Sequence, residues 1–201
     1  MKVLLLIPFL FTAQITNGQN FSNSKILFEK KLKNNVYIKF IATNNEDNYK
    51  IQWGNKSINK SSKRFYQKKG DGYLHVIDYN SKYIILSNQC GTMCTQFVIL
   101  PIKKNKKENE YSFVKAFNLS ANLIAYAQSV SDSLNVKIEN FSSGKSMIVR
   151  EADVCPAVDK QECIDSCYFD KENFYLFWQG RDWTSKRHDS KEKSYHLDQL
   201  Q

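Results

Sequence analysis

Apolar and polar residues along this chain alternate singly more often than they group in helical turns. Residues 73–79, Tyr-Leu-His-Val-Ile-Asp-Tyr, show the period of two that marks a strand with one buried face. Other β-rich runs lie at 36–42, 49–53, 82–87, 96–102, 122–127, 134–140 and 174–178, separated by polar, Asn- or Ser-containing stretches. The only helical signal is a turn or two within 157–167, following Pro156. The expected fold is all-β, an antiparallel meander of strand pairs closing as a sandwich or open barrel. Strand pairs recur at roughly 40 to 50 residues, the period of propeller blades, so a small propeller-like set of blade-like repeats is the alternative.

The first residues follow another rule. Lys2 precedes an apolar run over 3–11 that contains Pro8, far short of the roughly 20 residues of a membrane-spanning helix. A basic start, a short apolar run and small residues at Thr16 and Gly18 make a secretory signal peptide with cleavage after Gly18. The expected organisation is therefore a leader at 1–18, one all-β domain at 19–180 and a charged C-terminal tail at 181–201. No later stretch is long and apolar enough to anchor the chain, so the expected location is secreted or periplasmic.

Composition agrees with a folded domain: of 201 residues, 42% are hydrophobic, 13% aromatic and 24% charged. The 25 Lys against 4 Arg, with many Asn and Ile, suggest an AT-rich bacterial coding sequence. Asn20, Asn55, Asn59, Asn118 and Asn140 each begin an N-x-Ser pattern, which would matter in a eukaryotic secretory pathway.

Export makes disulfides the first reading of the five cysteines, Cys90, Cys94, Cys155, Cys163 and Cys167. Cys90-Gly-Thr-Met-Cys94 lies between two β runs, where a local disulfide would staple a hairpin and Gly91 would supply a positive φ. Cys163 and Cys167, if they share a helical turn, suit each other poorly, so Cys155 pairs with Cys163 or Cys167 and one thiol remains. Neither a zinc-ligand spacing nor a haem attachment motif is present. Residues 83–100, Tyr-Ile-Ile-Leu-Ser-Asn-Gln-Cys-Gly-Thr-Met-Cys-Thr-Gln-Phe-Val-Ile-Leu, resemble a Cys-Gly-x-x-Cys hairpin of exported bacterial proteins. In that group an Asp and a Thr-Gly-Lys turn follow the second strand, where this chain has Pro101 to Lys107. The resemblance implies location and architecture, and no activity.

The formal net charge is +9. A basic patch is expected at Lys56, Lys60, Lys63, Arg64, Lys68 and Lys69, with a second run at Lys103, Lys104, Lys106 and Lys107. Such residues serve as solvated loops, partner the acidic residues between Glu151 and Glu172, or contact an anionic envelope or glycan surface. Nucleic acid is disfavoured, because export removes it and Arg, the bidentate phosphate binder, is scarce. Of three His, His75 sits on a strand while His188 and His196 lie in the charged tail. Trp53 and Trp178 read as core and Trp183 as exposed. No nucleotide loop, metalloprotease helix or nucleophile elbow occurs, and no cofactor is implied. The expected function is a non-enzymatic binding or structural β-domain of the cell envelope. The alternatives are an envelope hydrolase with its site on strand-end loops, or a thiol-redox protein using the odd cysteine.

Overall fold

A computed structural model describes residues 25–43, 47–68, 72–128, 132–181 and 190–200. The expected leader at 1–18, together with Lys69, Trp183 and His188, lies outside the described residues. Four antiparallel sheets follow one another, each drawn from a single stretch of chain. The first holds β1 (Ile26–Lys31), β2 (Tyr37–Ala42), β3 (Asn48–Gly54) and β4 (Asn59–Ser61), with β5 (Tyr66–Gln67) also pairing with β3. The second holds β6 (His75–Tyr79), β7 (Tyr83–Gly91), β8 (Cys94–Pro101) and β9 (Asn109–Tyr111). The third holds β10 (Val114–Asn118), β11 (Leu123–Gln128), β12 (Leu134–Asn140) and β13 (Ser146–Glu151). The fourth holds β14 (Ile164–Asp170), β15 (Asn173–Gln179) and β16 (Ser190–His196). The protein is all-β, and no sheet closes into a barrel.

Hydrophobic patterning explains how the sheets stack. In β7 and β8, Ile84, Leu86, Val98 and Leu100 pack against Phe40, Ile51 and Trp53 of the first sheet. Their neighbours Tyr83, Ile85, Phe97 and Ile99 point the other way, onto Ile124 and Phe141 of the third. Both faces of the second sheet are therefore buried, which is why 83–86 and 97–100 are continuous apolar runs. The third sheet uses Leu123, Ala125, Val136 and Ile138 against Phe174, Leu176 and Trp178 of the fourth. Strands β2, β3 and β15, in the end sheets, alternate because only one face meets a neighbour. Each fully buried Leu, Ile or Phe contributes about 1.5–3 kcal/mol, so three such layers account for the cohesion of the stack. Among the described residues, no core cluster joins the first sheet to the fourth.

Two expected boundaries shift. The charged segment 181–201 is not all tail, since β16 pairs with β15 along its length and Leu197 and Leu200 enter the third core. Its charges hid this because they are used at the strand's flank: Lys193 pairs with Glu151 at 2.9 Å and Lys191 pairs with Asp153. The helical signal within 157–167 shrinks to one 3-10 turn, Lys160–Cys163, where the Asp159 side chain accepts from the Gln161 backbone N–H. Strand β14 starts at Ile164, so Cys163 and Cys167 share no helical turn. Cys163 pairs with Cys155 (Cα–Cα 5.7 Å) and Cys90 with Cys94 (5.1 Å). Gly91 has φ +148°, a conformation in which a side chain is strained.

Candidate functional site

Of the residues expected as a basic patch, Lys56, Lys63, Arg64 and Lys68 are exposed, and Lys60 lies on the edge strand β4. Lys60 turns inward: its ammonium donates to the carbonyls of Pro101 (3.1 Å) and Lys103 (2.9 Å) and to that of Lys106. It also lies 5.3 Å from the Trp53 ring. Burial lowers its pKa. This ammonium ties the first sheet to the 102–108 loop of the second. Lys106 in turn donates to the Ser142 carbonyl at 3.0 Å, reaching the third sheet. Lys68 lies 5.6 Å from the Tyr73 ring, and the Lys63 backbone N–H donates to Glu108. Lys56 borders a groove on the outer face of the first sheet. Arg64 points into a cleft, where it ion-pairs with Glu110.

That cleft, of about 380 Å³, opens between the first and second sheets at the end nearest Cys90–Cys94. The face of the second sheet that meets the first is a graded one. Along β7 the row Ile84, Leu86 ends in Asn88, and along β8 the row Leu100, Val98 ends in Gln96, directly across from Asn88. Glu110 on β9 sits beside Val98 and accepts a hydrogen bond from the Gln96 amide. From the first sheet come Arg64, exposed Phe65 and Tyr66. The apolar seam stops where these amides begin, and the cleft is the space that results.

Two tyrosines line it. Tyr49 accepts a hydrogen bond from the Leu74 backbone N–H at 3.2 Å, and burial pushes its hydroxyl up to about 12. Tyr66 is 7% exposed, and its buried hydroxyl has the Arg64 side chain beside it as a hydrogen-bonding group. The Arg64 guanidinium lies 4.9 Å from the Tyr66 ring. Burial raises the Tyr66 pKa, and Arg64 opposes that shift. Nothing in the sequence flagged the cleft, although the amides closing otherwise apolar runs, Asn88 and Gln96, were the available signal.

The remaining candidates lie elsewhere. His75 is exposed and contacts the Tyr73 carbonyl at 3.0 Å. His196, with Glu172 and Asp198, forms an exposed cluster at the end of the fourth sheet, joined by a His196–Asp198 contact of 2.8 Å. Trp53 and Trp178 are core residues, 0% and 4% exposed. Asn140, one of the N-x-Ser asparagines, caps the β12–β13 turn and donates to the Leu200 carbonyl.

Cys167 is the free cysteine. It packs against the third core, and burial pushes its thiol from 9.0 up to about 12, with Lys115 opposing. Since the thiolate is the reactive species, folded protein at pH 8 is expected to resist a thiol reagent and to take up one equivalent in denaturant. The raised pKa stabilises the fold fully below the unfolded thiol's value. That contribution is lost as pH rises from 9 towards 12, so alkaline unfolding curves of Cys167→Ala should lack this component.

No protein-family model, curated protein or solved structure matches this chain.

Proposed function

We propose that this chain is an exported, non-enzymatic β-domain of the cell envelope that holds a glycan in the cleft between its first and second sheets. The observation that carries this reading is the cleft lined by Asn88, Gln96, Arg64 and Glu110, with the buried Tyr66 hydroxyl beside Arg64. Amides both donate and accept, as sugar hydroxyls do. The Arg64–Glu110 pair leaves the wall without net charge, which suits a neutral polar ligand. Exposed Phe65 at the rim offers a ring for an apolar sugar face.

Export is supported by the leader pattern at 1–18 and by two cysteine pairs at disulfide distance, since such bonds persist in oxidising compartments. No helix among the described residues is long and apolar enough to cross a membrane. A hydrolase draws less support: glycoside hydrolysis commonly uses two carboxylates flanking the bond, and among the described residues Glu110 is the one carboxylate lining the cleft. The thiol-redox alternative draws little from Cys167, a half-buried thiol whose pKa is raised.

The test is a titration of neutral envelope oligosaccharides followed by NMR. Shifts are expected at Tyr66, Asn88 and Gln96, and Tyr66→Phe should weaken binding about tenfold, the worth of one hydrogen bond to a buried group. Turnover of any glycan, ester or peptide that disappears in Glu110→Gln would overturn the reading, as would binding that Tyr66→Phe leaves intact.

A further inference from the structure

Among the described residues, the inner sheets bury both faces and the end sheets each leave one uncovered. On the fourth sheet that face carries Tyr168, Tyr175 and Phe177, with Tyr168 directly across from Tyr175 and Phe177 across from Glu192. The rings stack on one another: Tyr168 and Tyr175 have centroids 4.9 Å apart at 14°, and Tyr168 and Phe177 6.0 Å apart at 19°. Because their faces meet, the row presents ring edges as a ridge, unlike the open ring face that stacks on a sugar. Tyr168 is 47% exposed. Among the described strand residues in register with this face, the carboxylates are Asp170, across from Asn173, and Glu192, across from Phe177, with His196 at its end.

The uncovered face of the first sheet is its complement. Cross-strand pairing places Lys31 beside Tyr37, Lys39 beside Gln52 and Lys50 beside Ile41 on this side. Its one carboxylate, Glu29, pairs with Lys39 at 3.2 Å, so the face carries net positive charge. A groove of about 660 Å³ crosses it, bordered by Lys31, Tyr37, Lys39 and Gln52. The two faces oppose each other in charge and in relief.

We infer that copies of this chain associate head to tail, the acidic aromatic ridge of one fourth sheet seating in the basic groove of the next copy's first sheet. The contact repeats between molecules the face-to-face stacking that holds the sheets together within one. It is heterologous, so it extends into rows unless the rotation between copies closes a ring. Three strands about 4.8 Å apart and seven residues long make a face on the order of 300 Å². That is well under the roughly 800 Å² per partner of a standard interface, so association is weak, reversible and driven by local concentration. Opposite charges at its rim make it weaken with salt.

Sedimentation velocity on disulfide-intact protein tests this between about 10 µM and about 1 mM, the range of weak contacts. The weight-average mass of the wild type is expected to rise with concentration beyond that of a dimer, and to fall in about 0.5 M salt. Asp170→Lys with Glu192→Lys should be monomeric, and so should Lys31→Glu with Lys50→Glu. An equimolar mixture of the two variants should associate again, because every junction then joins opposite charges. Melting temperatures like that of the wild type certify folding, and Ser194→Lys on the same ridge replaces any ridge variant that fails this check. A wild type monomeric throughout overturns the inference. So does either charge-reversed variant that still self-associates, which would mean that like faces pair.

Discussion

Trp53→Ala is expected to destabilise the fold by about 3–5 kcal/mol, the range for deleting a buried aromatic. Trp53 sits on β3, fully buried, where the first sheet faces the second. Its indole N–H donates to the Pro101 carbonyl at 3.1 Å, and the same carbonyl accepts from the Lys60 ammonium. Alanine leaves a cavity between the sheets and removes the ring beside which that ammonium is held, 5.3 Å away. The 102–108 loop should loosen with it, because Lys60 is what ties that loop to the first sheet. Against a total stability of about 5–15 kcal/mol for a folded domain, the loss is a large share. Urea unfolding should show the midpoint shift, and Trp53→Phe should recover most of it while lacking the indole hydrogen bond, worth about 1 kcal/mol.

Replacing both Cys155 and Cys163 by serine is expected to cost about 3–5 kcal/mol, and replacing both Cys90 and Cys94 about 2 kcal/mol. Loop length barely separates the two: the cysteines stand 8 and 4 residues apart, and closure entropy varies only with the logarithm of length. Burial separates them. Cys155 and Cys163 are 5% and 0% exposed inside the third core, so serines would set two hydroxyls among Leu, Val and Phe side chains, at the cost of burying polar groups. The other pair closes the tip of the β7–β8 hairpin, which β-pairing holds in register along the rest of its length. Melting curves of the two double variants check the order. Partial reduction followed by mass spectrometry should find Cys90–Cys94 opening first.

How much of this the sequence revealed depends on where each residue sits in the stack. The β-rich runs at 36–42, 82–87, 96–102 and 174–178 marked strands β2, β7, β8 and β15, but one buried face could not be told from two, since Phe174 to Trp178 is as continuously apolar as 83–86 although only alternate residues are buried. Three edge strands did not show. Asn59–Ser61, Asn109–Tyr111 and Ser190–His196 are polar, pair on one side only, and owe their conformation to a neighbour's backbone. The Cys155 partner was narrowed to two by assuming a helical turn, and it was the switch to β14 at Ile164 that set Cys163 and Cys167 apart. The cleft was out of reach because Arg64 and Glu110 meet only through the packing of two sheets.

The order of the sheets along the chain bears on how the molecule is made. Each sheet is completed by consecutive residues and, among the described residues, shares its core clusters with the sheets encoded just before and just after it. A polypeptide delivered from its N-terminus can therefore consolidate in the order of its delivery, with a single oily surface awaiting the next instalment at any moment. Long-range loop closure, the slow step for many β proteins, is largely spared, and interrupted synthesis would leave a shorter pile of sheets instead of a tangled one.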